Sequence, residues 1–154
     1  DRGQIEVLSI NEILESTVKI IWSELKNKVT LQYQLCEQPL MVKANPSQLS
    51  QVFLNLLMNA AQAMDKSPAH IQITTALIGE LVQIRICDNG CGMSPALQKR
   101  IFEPFYTTKD VGKGTGLGLS LSKAIIEEHQ GQIDVESTLG RGSCFSIMLP
   151  VAGS

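Results

Sequence analysis

The sequence lacks the features that mark several classes of protein. Its 154 residues contain no apolar stretch long enough to cross a membrane, and no apolar segment follows the N-terminal residues as it does in a signal peptide. Charged residues make up only 18% of the chain, and 13 Lys and Arg oppose 15 Asp and Glu. A basic face of the kind that binds DNA or RNA is therefore not expected. The 12 Gly and 6 Pro are near average usage, which excludes a collagen-like or low-complexity chain.

Cysteine and histidine are too scattered along the chain to predict a metal site. The four cysteines form no C-x-x-C pair, and both histidines lie far in sequence from Cys87 and Cys91. A zinc site is therefore not expected. Single thiols at separate positions favour a reducing, cytosolic setting over a disulfide framework. The cysteines are Cys36, Cys87, Cys91 and Cys144, and the histidines are His70 and His129.

Hydrophobic residues, at 44%, are abundant enough for one core, so residues 1–154 are predicted to form a single domain. The absence of an initiator Met leads us to expect a fragment of a longer protein. Apolar residues recur at helical spacing in the long segments, and cap or stop residues flank most of them. The predicted helices run from a cap at Asn11 to Leu25, from Ser47 to Met64, from Pro95 to Phe102 after a cap at Ser94, and from Leu117 to His129, with Gly131 as the stop.

Alternation of apolar and polar residues predicts strands in the remaining segments. They are Ile5–Leu8, Val29–Leu35, Ile71–Leu77, Leu81–Cys87, Gln132–Ser137 and Ser143–Val151. Loops are expected through Pro39 and Pro46 and over residues 103–115. Paired antiparallel strands with helices between them predict an α+β fold. We expect a two-layer α/β sandwich whose mixed, mostly antiparallel sheet is covered on one face by helices.

Three polar or glycine-rich clusters carry the candidate chemistry. The first is Asn55 and Asn59, which lie four residues apart and so share one side of the longest helix. An amide oxygen is a hard ligand that suits Mg²⁺. For an isolated pair, the favoured interpretation is that the amides face water or bond the local backbone.

The second cluster is Asp88-Asn89-Gly90-Cys91-Gly92-Met93, directly after a predicted strand. Its carboxylate is an acceptor, and its glycines let the backbone approach a ligand closely. The alternative is an Asn-Gly hairpin turn. That alternative is disfavoured because Ser94 and Pro95 open a helix and not a returning strand.

The third cluster runs from Gly112 to Ser120 and places alternate glycines at a helix N-terminus. Such a junction offers unpaired N–H groups to a phosphate, although a glycine run alone also fits a flexible loop. The sequence G-x-x-x-x-G-K-[ST] cannot be placed here. The dinucleotide fingerprint fails too, because Leu119 stands where its third glycine belongs.

The order and spacing of these clusters resemble the nucleotide-binding domain of sensor histidine kinases, within the wider GHKL ATPase superfamily. The resemblance extends over nearly the whole chain from about Ser9. The matching segments are Leu54–Ala63 for the N box, Asp88–Met93 for the first glycine box, Ile101–Lys109 for the F box, Gly114–Ser120 for the second glycine box and Gly142–Pro150 for the closing strand.

The resemblance implies a role for each cluster. Asn59 is expected to hold the Mg²⁺ of ATP, with Asn55 beside it on the phosphate side, and Asp88 is expected to accept a hydrogen bond from the adenine amino group. Gly90 and Gly92 would lie close to the base. The resemblance also places Ser143 near Asp88, and Phe102 and Phe105 as supports of a mobile lid. The remaining contacts fall on Gln62, Lys113, Gly114, Thr115, Gly116, Leu117, Gly118 and Leu119, and the catalytic residues are Asn55 and Lys109.

Two departures from related families direct the functional prediction. ATPases of the superfamily carry a water-activating Glu where this chain has Asn55, so phosphoryl transfer to a protein is favoured over hydrolysis. Many kinases carry Lys or Arg where this chain has Gln62. Neither histidine lies in the acceptor pattern of such kinases, so His70 is interpreted as a surface residue and His129 as a partner of a helix C-terminus.

The resemblance therefore implies the catalytic ATP-binding domain of a histidine kinase, with ATP and Mg²⁺ as cofactors. Its expected partners are its own dimerisation and phosphoacceptor domain and a response regulator, with no nucleic acid. The domain is expected to be monomeric and cytoplasmic, in a parent that is either soluble or membrane-anchored. The alternatives are an ATPase or Ser/Thr kinase of the same superfamily, or a non-catalytic nucleotide-sensing module.

Overall fold

A five-stranded mixed sheet, with helices packed on one face, forms the body of the protein in a computed structural model that describes residues 4–65, 67–104 and 118–153. The elements in chain order are β1 (Glu6–Ser9), α1 (Ile10–Leu25), β2 (Thr30–Gln34), β3 (Met41–Ala44), α2 (Pro46–Gln62), β4 (His70–Ile78), β5 (Leu81–Asp88), α3 (Pro95–Gln98), α4 (Gly118–Glu128), β6 (Gln132–Thr138) and β7 (Gly142–Pro150). The sheet order is β2-β4-β5-β7-β6, and only the β2–β4 pair is parallel. The predicted α+β sandwich with a mixed, mostly antiparallel sheet is confirmed.

Alternate residues of the central strands are buried, which identifies the face that the helices cover. In β5 these are Val82, Ile84 and Ile86, and the residues between them are more accessible. The helix α2 contributes the largest buried stripe to the same core, at the spacing that the sequence predicts. Its buried residues are Leu49, Val52, Phe53, Leu56, Leu57 and Ala60.

A second, two-stranded sheet corrects the prediction of a loop through Pro39 and Pro46. Residues Met41–Ala44 form β3, which pairs antiparallel with β1. Its four residues are too few for a recognisable alternation, and their partner strand lies far away in the sequence. Val42 and Ala44 are buried, so this small sheet also contributes to the core.

The start of α1 differs from the prediction of a cap at Asn11. Ser9 caps the helix, and its Oγ accepts a hydrogen bond from the N–H of Glu12 at 3.4 Å. The Asn11 amide instead donates to the carbonyl of Cys36 at 3.0 Å and accepts from the Thr75 hydroxyl at 2.9 Å. Asn11 therefore connects α1 to the sheet, a long-range role that the local sequence does not indicate.

The structure also differs from the prediction at the end of α3 and in the environment of His129. Ser94 caps α3 as predicted, with its Oγ accepting from Leu97 N–H at 3.2 Å, but α3 ends at Gln98 and not at Phe102. His129 contacts the end of its own helix, as predicted, through Nδ1 and the carbonyl of Ile125 at 2.7 Å. It is buried, however, with only 8% of its surface exposed.

Among the described residues, no helix combines the length and apolar character that a bilayer crossing requires.

Two of the cysteines correct the expectation of scattered free thiols. Cys87 of β5 and Cys144 of β7 are register partners, their Cα atoms lie 4.0 Å apart, and their sulfurs form a disulfide. Cys36 and Cys91 are free. The bonded pair is 57 residues apart in sequence, so only the sheet register brings the two thiols together.

We expect reduction of the Cys87–Cys144 bond to lower the free energy of unfolding. A cross-link that closes a loop of 57 residues restricts the unfolded chain, an effect of about 2–4 kcal/mol for native disulfides. Urea unfolding with and without dithiothreitol measures the difference. A double Cys87→Ser/Cys144→Ser variant should lose the sensitivity to dithiothreitol, and a Cys91→Ser variant should keep it. Equal unfolding free energies in both states of the wild type would contradict the assignment.

Candidate functional site

The centre of the candidate site is a pair of polar residues where β5 ends and β7 begins. Asp88 and Ser143 are register partners across these antiparallel strands. Ile86, two residues before Asp88, and Phe145, two residues after Ser143, are buried in the core. Because residues two apart in a strand share a face, Asp88 and Ser143 also lie on the face toward the helices. Ser143 is 7% exposed, and Asp88 is half-buried. A carboxylate and a hydroxyl are thus placed side by side at the edge of the core.

The carboxylate of Asp88 is oriented by its own loop. Its Oδ1 accepts a hydrogen bond from the N–H of Gly90 at 2.8 Å. The neighbouring Asn89 serves the fold, because its Nδ2 donates to the carbonyl of Pro68 at 2.9 Å and its Oδ1 accepts from His70 N–H at 2.8 Å. The loop after β5 therefore holds Asp88 and Asn89 in different directions, one toward the site and the other toward the segment before β4.

Gly90 brings this loop against the end of α2. The N–H of Cys91 donates to the carbonyl of Ala63, the residue that follows α2, at 2.9 Å. A Cβ at Gly90 would overlap the same carbonyl oxygen and lie 2.8 Å from its carbon. Only glycine fits this close approach of two backbone segments. The contact places the Asp88 loop directly beside the helix that carries Asn55 and Asn59.

Gly92 brings the other side of the loop against the β6–β7 hairpin. Its φ is +69°, and a Cβ there would overlap the carbonyl oxygen of Thr138. The carbonyl of Cys91 also accepts a hydrogen bond from Gly140 N–H at 2.7 Å. The structure thus brings both glycines of the first box beside Asp88, where they permit contacts with other parts of the chain.

Ser137, which sequence reasoning missed, connects this loop to Ser143. Its Oγ accepts from the N–H of Met93 at 2.7 Å, donates to the carbonyl of Gly142 at 2.9 Å and lies 2.8 Å from Ser143 Oγ. A hydroxyl has one proton, so Ser143 donates to Ser137 in this arrangement and keeps its own oxygen as an acceptor. Ser137 and Ser143 are register partners on β6 and β7, and this pairing is the signal that would have identified Ser137.

Asn55 and Asn59 lie half-buried on the C-terminal half of α2. The Nδ2 of Asn59 donates to the backbone carbonyl of Asn55 at 2.8 Å, so the bond to local backbone that was favoured for an isolated pair does form. This hydrogen bond uses the Asn59 amide nitrogen, which cannot bind a cation. The Oδ1 atom of the same amide is the one that suits Mg²⁺. Gln62 is the last residue of α2 and is exposed.

The phosphate side of the predicted site is described only in part. Gly118 and Leu119 begin α4, and the side chain of Leu119 is buried. The backbone of Leu119, and not its side chain, is therefore the part of this residue that could contact a ligand. Phe102 packs edge-on against Phe145, with ring centroids 6.3 Å apart, and Lys123 Nζ lies 5.5 Å from its ring centroid. The predicted residues outside the described ranges are Phe105, Lys109, Lys113, Gly114, Thr115, Gly116 and Leu117.

Within residues 4–65, 67–104 and 118–153, no three His, Cys, Asp or Glu side chains group together as a metal site. A divalent cation here would therefore rely on an amide oxygen such as that of Asn59, together with oxygens of its ligand. That donor set fits Mg²⁺, which is commonly bound through few protein ligands plus phosphates.

Comparison with known proteins adds the family. The family model described as "Histidine kinase-, DNA gyrase B-, and HSP90-like ATPase" matches residues 44–153. Sporulation kinase E of Bacillus subtilis is 41% identical over 143 residues, which are 92% of this chain and 19% of that kinase. Signal transduction histidine-protein kinase AtoS of Escherichia coli is 40% identical over 151 residues, 97% of this chain and 24% of AtoS. The chain thus spans a quarter or less of these relatives.

Among solved structures, the nucleotide-free catalytic domain of histidine kinase ThkA has the same fold. The TM-score is 0.86 at 28% identity, with 96% of each chain covered. ThkA is also similar in its complex with the response regulator protein TrrA, with a TM-score of 0.81 at 25% identity, covering 96% of this chain and 42% of that one.

Proposed function

Because the chain belongs to the histidine kinase-, DNA gyrase B- and HSP90-like ATPase family, as a histidine kinase-type ATP-binding domain, we propose that it binds Mg-ATP between α2, the loop after β5 and the start of α4. In the full-length protein, it transfers the γ-phosphoryl group to a His of a separate dimerisation domain. The observation that carries this proposal is the Asp88–Ser143 pair, held by backbone contacts beside the end of α2.

Adenine recognition is assigned to this pair. The Asp88 carboxylate is an acceptor for the adenine amino group, and its bond from Gly90 N–H limits its rotation. Guanine carries a carbonyl at the corresponding position, which would face the carboxylate as a second acceptor. Ser143 supports the same choice, because its proton is directed to Ser137 and its oxygen is left as an acceptor.

Phosphate and metal binding are assigned to the two helices. Asn59 Oδ1 is proposed to bind Mg²⁺, with Asn55 beside it, and the first N–H groups of α4 at Gly118 and Leu119 to bind phosphate oxygens. Bound Mg²⁺ neutralises phosphate charge during transfer. By the family resemblance, Gln62, Phe105, Lys109, Lys113, Gly114, Thr115, Gly116 and Leu117 complete the site, with Lys109 and Asn55 in catalytic roles.

The reaction class follows from what Asn55 and His129 do not supply. An amide at Asn55 cannot remove a proton from water as a carboxylate does, which disfavours ATP hydrolysis. Both ring nitrogens of buried His129 are used in hydrogen bonds, so it is not available as an acceptor of phosphate. His70 is exposed but lies outside the acceptor pattern of such kinases. Together these features support transfer to a His outside residues 1–154. We also propose that residues 1–154 form one domain.

Partners and location follow from the same proposal. ThkA has been solved with a response regulator, and we propose that the parent of this chain serves one too. We also propose a cytoplasmic location, with this domain monomeric and its parent either soluble or membrane-anchored. We expect that a reducing compartment converts the Cys87–Cys144 disulfide of the structure to two thiols, which the strand register keeps adjacent.

An Asp88→Asn variant is expected to bind ADP about 5- to 100-fold more weakly than the wild type. Its preference for ADP over GDP is also expected to be smaller. The added amide brings a donor or a weaker acceptor to the adenine amino group, at a cost typical of a lost charged hydrogen bond. Calorimetric titration with ADP and GDP measures both effects. Asp134→Asn, at an exposed position of β6, is the matched control. Wild-type affinity in Asp88→Asn would refute the adenine assignment.

An Asn59→Ala variant is expected to lose most of the gain in ADP affinity that Mg²⁺ provides, while ADP affinity in excess EDTA changes little. The variant removes the amide oxygen that is proposed to bind the cation. Gln51→Ala, at an exposed position of the same helix, is the control for helix stability. If the ratio of the two dissociation constants in Asn59→Ala equals that of the wild type, Asn59 is not the ligand.

The full-length parent, incubated with γ-labelled ATP, is expected to become labelled with a phosphoryl group that acid removes. Phosphohistidine is acid-labile, whereas phosphoserine and phosphothreonine survive acid treatment. Acid-stable label would instead support the Ser/Thr kinase alternative. Release of inorganic phosphate without labelled protein would support the ATPase, and nucleotide binding with neither product would support a sensing module.

A further inference from the structure

His129 is a buried, fully hydrogen-bonded imidazole that none of the proposed roles uses. It follows the last residue of α4, and 8% of its surface is exposed. Its Nδ1 lies 2.7 Å from the carbonyl of Ile125, and its Nε2 lies 3.1 Å from the backbone nitrogen of Asn45. The Asn45 N–H can only donate, so Nε2 accepts and Nδ1 carries the proton that bonds Ile125. The neutral Nδ1–H imidazole satisfies both contacts.

The partner of His129 is the residue that begins α2. Asn45 is the N-cap of this helix, since its Oδ1 accepts from the N–H of Gln48 at 3.1 Å and its carbonyl accepts from Leu49 N–H at 3.0 Å. Asn45 is itself 3% exposed. The bond from Asn45 N–H to His129 therefore connects the end of α4 to the beginning of the helix that carries Asn55 and Asn59.

This contact joins the beginning of α2 to the end of α4. A surface groove of about 590 Å³ is lined on one side by Ser47 and Gln51 of the first turns of α2, and on the other by Leu121, Ile125 and Glu128 of α4. Asn59 lies about 21 Å from Asn45 along α2, and the start of α4 lies about 16 Å before His129, at the usual rise per residue. The proposed metal ligand and the proposed phosphate-binding helix end thus both lie away from this contact, each toward the other end of its own helix.

Most of the remaining buried surface of these helices is apolar. All buried residues of α2 are hydrophobic, and α4 adds Leu119, Ile125 and Ile126, with Ser122 as the buried polar exception. Burial of apolar surface stabilises the packing of the two helices but has little directionality. A buried hydrogen bond has a preferred geometry, so it restrains the sliding of one helix along the other more strongly. The His129–Asn45 bond is a directional contact, 3.1 Å long, between the end of α4 and the beginning of α2.

We propose that His129 is a positioning residue that sets the longitudinal register of α4 against α2, and thereby the distance between Asn59 and the phosphate groups bound at the start of α4. This inference rests on the proposed function. His129 touches neither nucleotide nor metal, and it acts through the placement of the two helices. Its removal therefore affects the metal–phosphate part of binding, whereas adenine recognition by Asp88 and Ser143 on the sheet is unaffected.

Two substitutions at position 129 separate the two hydrogen bonds. In His129→Gln, the side-chain amide reaches the place of Nε2 and can accept from Asn45 N–H. In His129→Asn, the shorter amide reaches only the place of Nδ1 and can donate to the Ile125 carbonyl. Both variants replace a ring by a neutral amide, so each is a matched control for the other.

The readout is the ratio of the ADP dissociation constants without and with Mg²⁺, measured by calorimetry at a temperature where circular dichroism verifies that each variant is folded. We expect His129→Asn to reduce this ratio about three- to tenfold and His129→Gln to stay within about twofold of the wild type. The preference for ADP over GDP is expected to be the same in all three proteins. A residue that acts only on stability would lower the melting temperature and leave the ratio unchanged.

A measurement on the wild type covers the case in which His129→Asn does not fold. If the contact is coupled to metal–phosphate binding, then Mg-ADP must strengthen it by the same free energy, because coupling is reciprocal. Hydrogen exchange of the Asn45 amide, followed by nuclear magnetic resonance, is expected to be slower with Mg-ADP than with ADP alone. Equal exchange rates, or equal Mg²⁺ ratios in folded His129→Asn and His129→Gln, would overturn the inference. A wild type that binds ADP without Mg²⁺ dependence would instead refute the proposed function.

Discussion

The antiparallel register between β5 and β7 is the constraint on which the candidate site depends. It places Asp88 opposite Ser143 on the face toward the helices, and Cys87 opposite Cys144 on the other face. Side chains alternate along a strand, so a slip of one residue in β5 would turn Asp88 away from the helices and bring Cys87 toward them. The same slip would remove Ile86 from the core, where it is 1% exposed. Burial of apolar residues therefore also determines where the carboxylate lies.

The loop after β5 extends this constraint to the rest of the site through backbone contacts. At Gly90 the loop meets the carbonyl of Ala63 at the end of α2, and at Gly92 it meets the carbonyl of Thr138 in the β6–β7 hairpin. A side chain at either glycine would separate the surfaces that it now joins. The glycines of this motif therefore have a requirement from the fold in addition to any from a ligand, and the site is assembled when three parts of the chain contact one short loop.

Sequence patterns predicted all the elements except β3, because each pattern reflects burial on one face, which neighbouring residues share. They also predicted the strand that ends at the candidate residue Asp88 and the helix that carries Asn55, since the spacing within each element is local. What they missed depends on contacts between distant positions. Asn11 caps no helix but bonds Thr75, and Ser137 and His129 act through residues that only the folded chain brings near. The disulfide was missed for the same reason, because a cross-strand pair has no signature in the spacing of its two cysteines.

The proposed ligand contacts lie on parts of the fold that are held by different forces. Asp88 lies on a sheet whose ladder of directional hydrogen bonds leaves little freedom along the strands. Asn59 and the start of α4 lie on two helices whose buried surfaces are mostly apolar, which leaves their relative displacement less restricted. Base recognition and metal–phosphate geometry therefore differ in their sensitivity to helix displacement. A directional bond from Asn45 to His129 would restrain that displacement through two residues that have no part in the proposed nucleotide contacts.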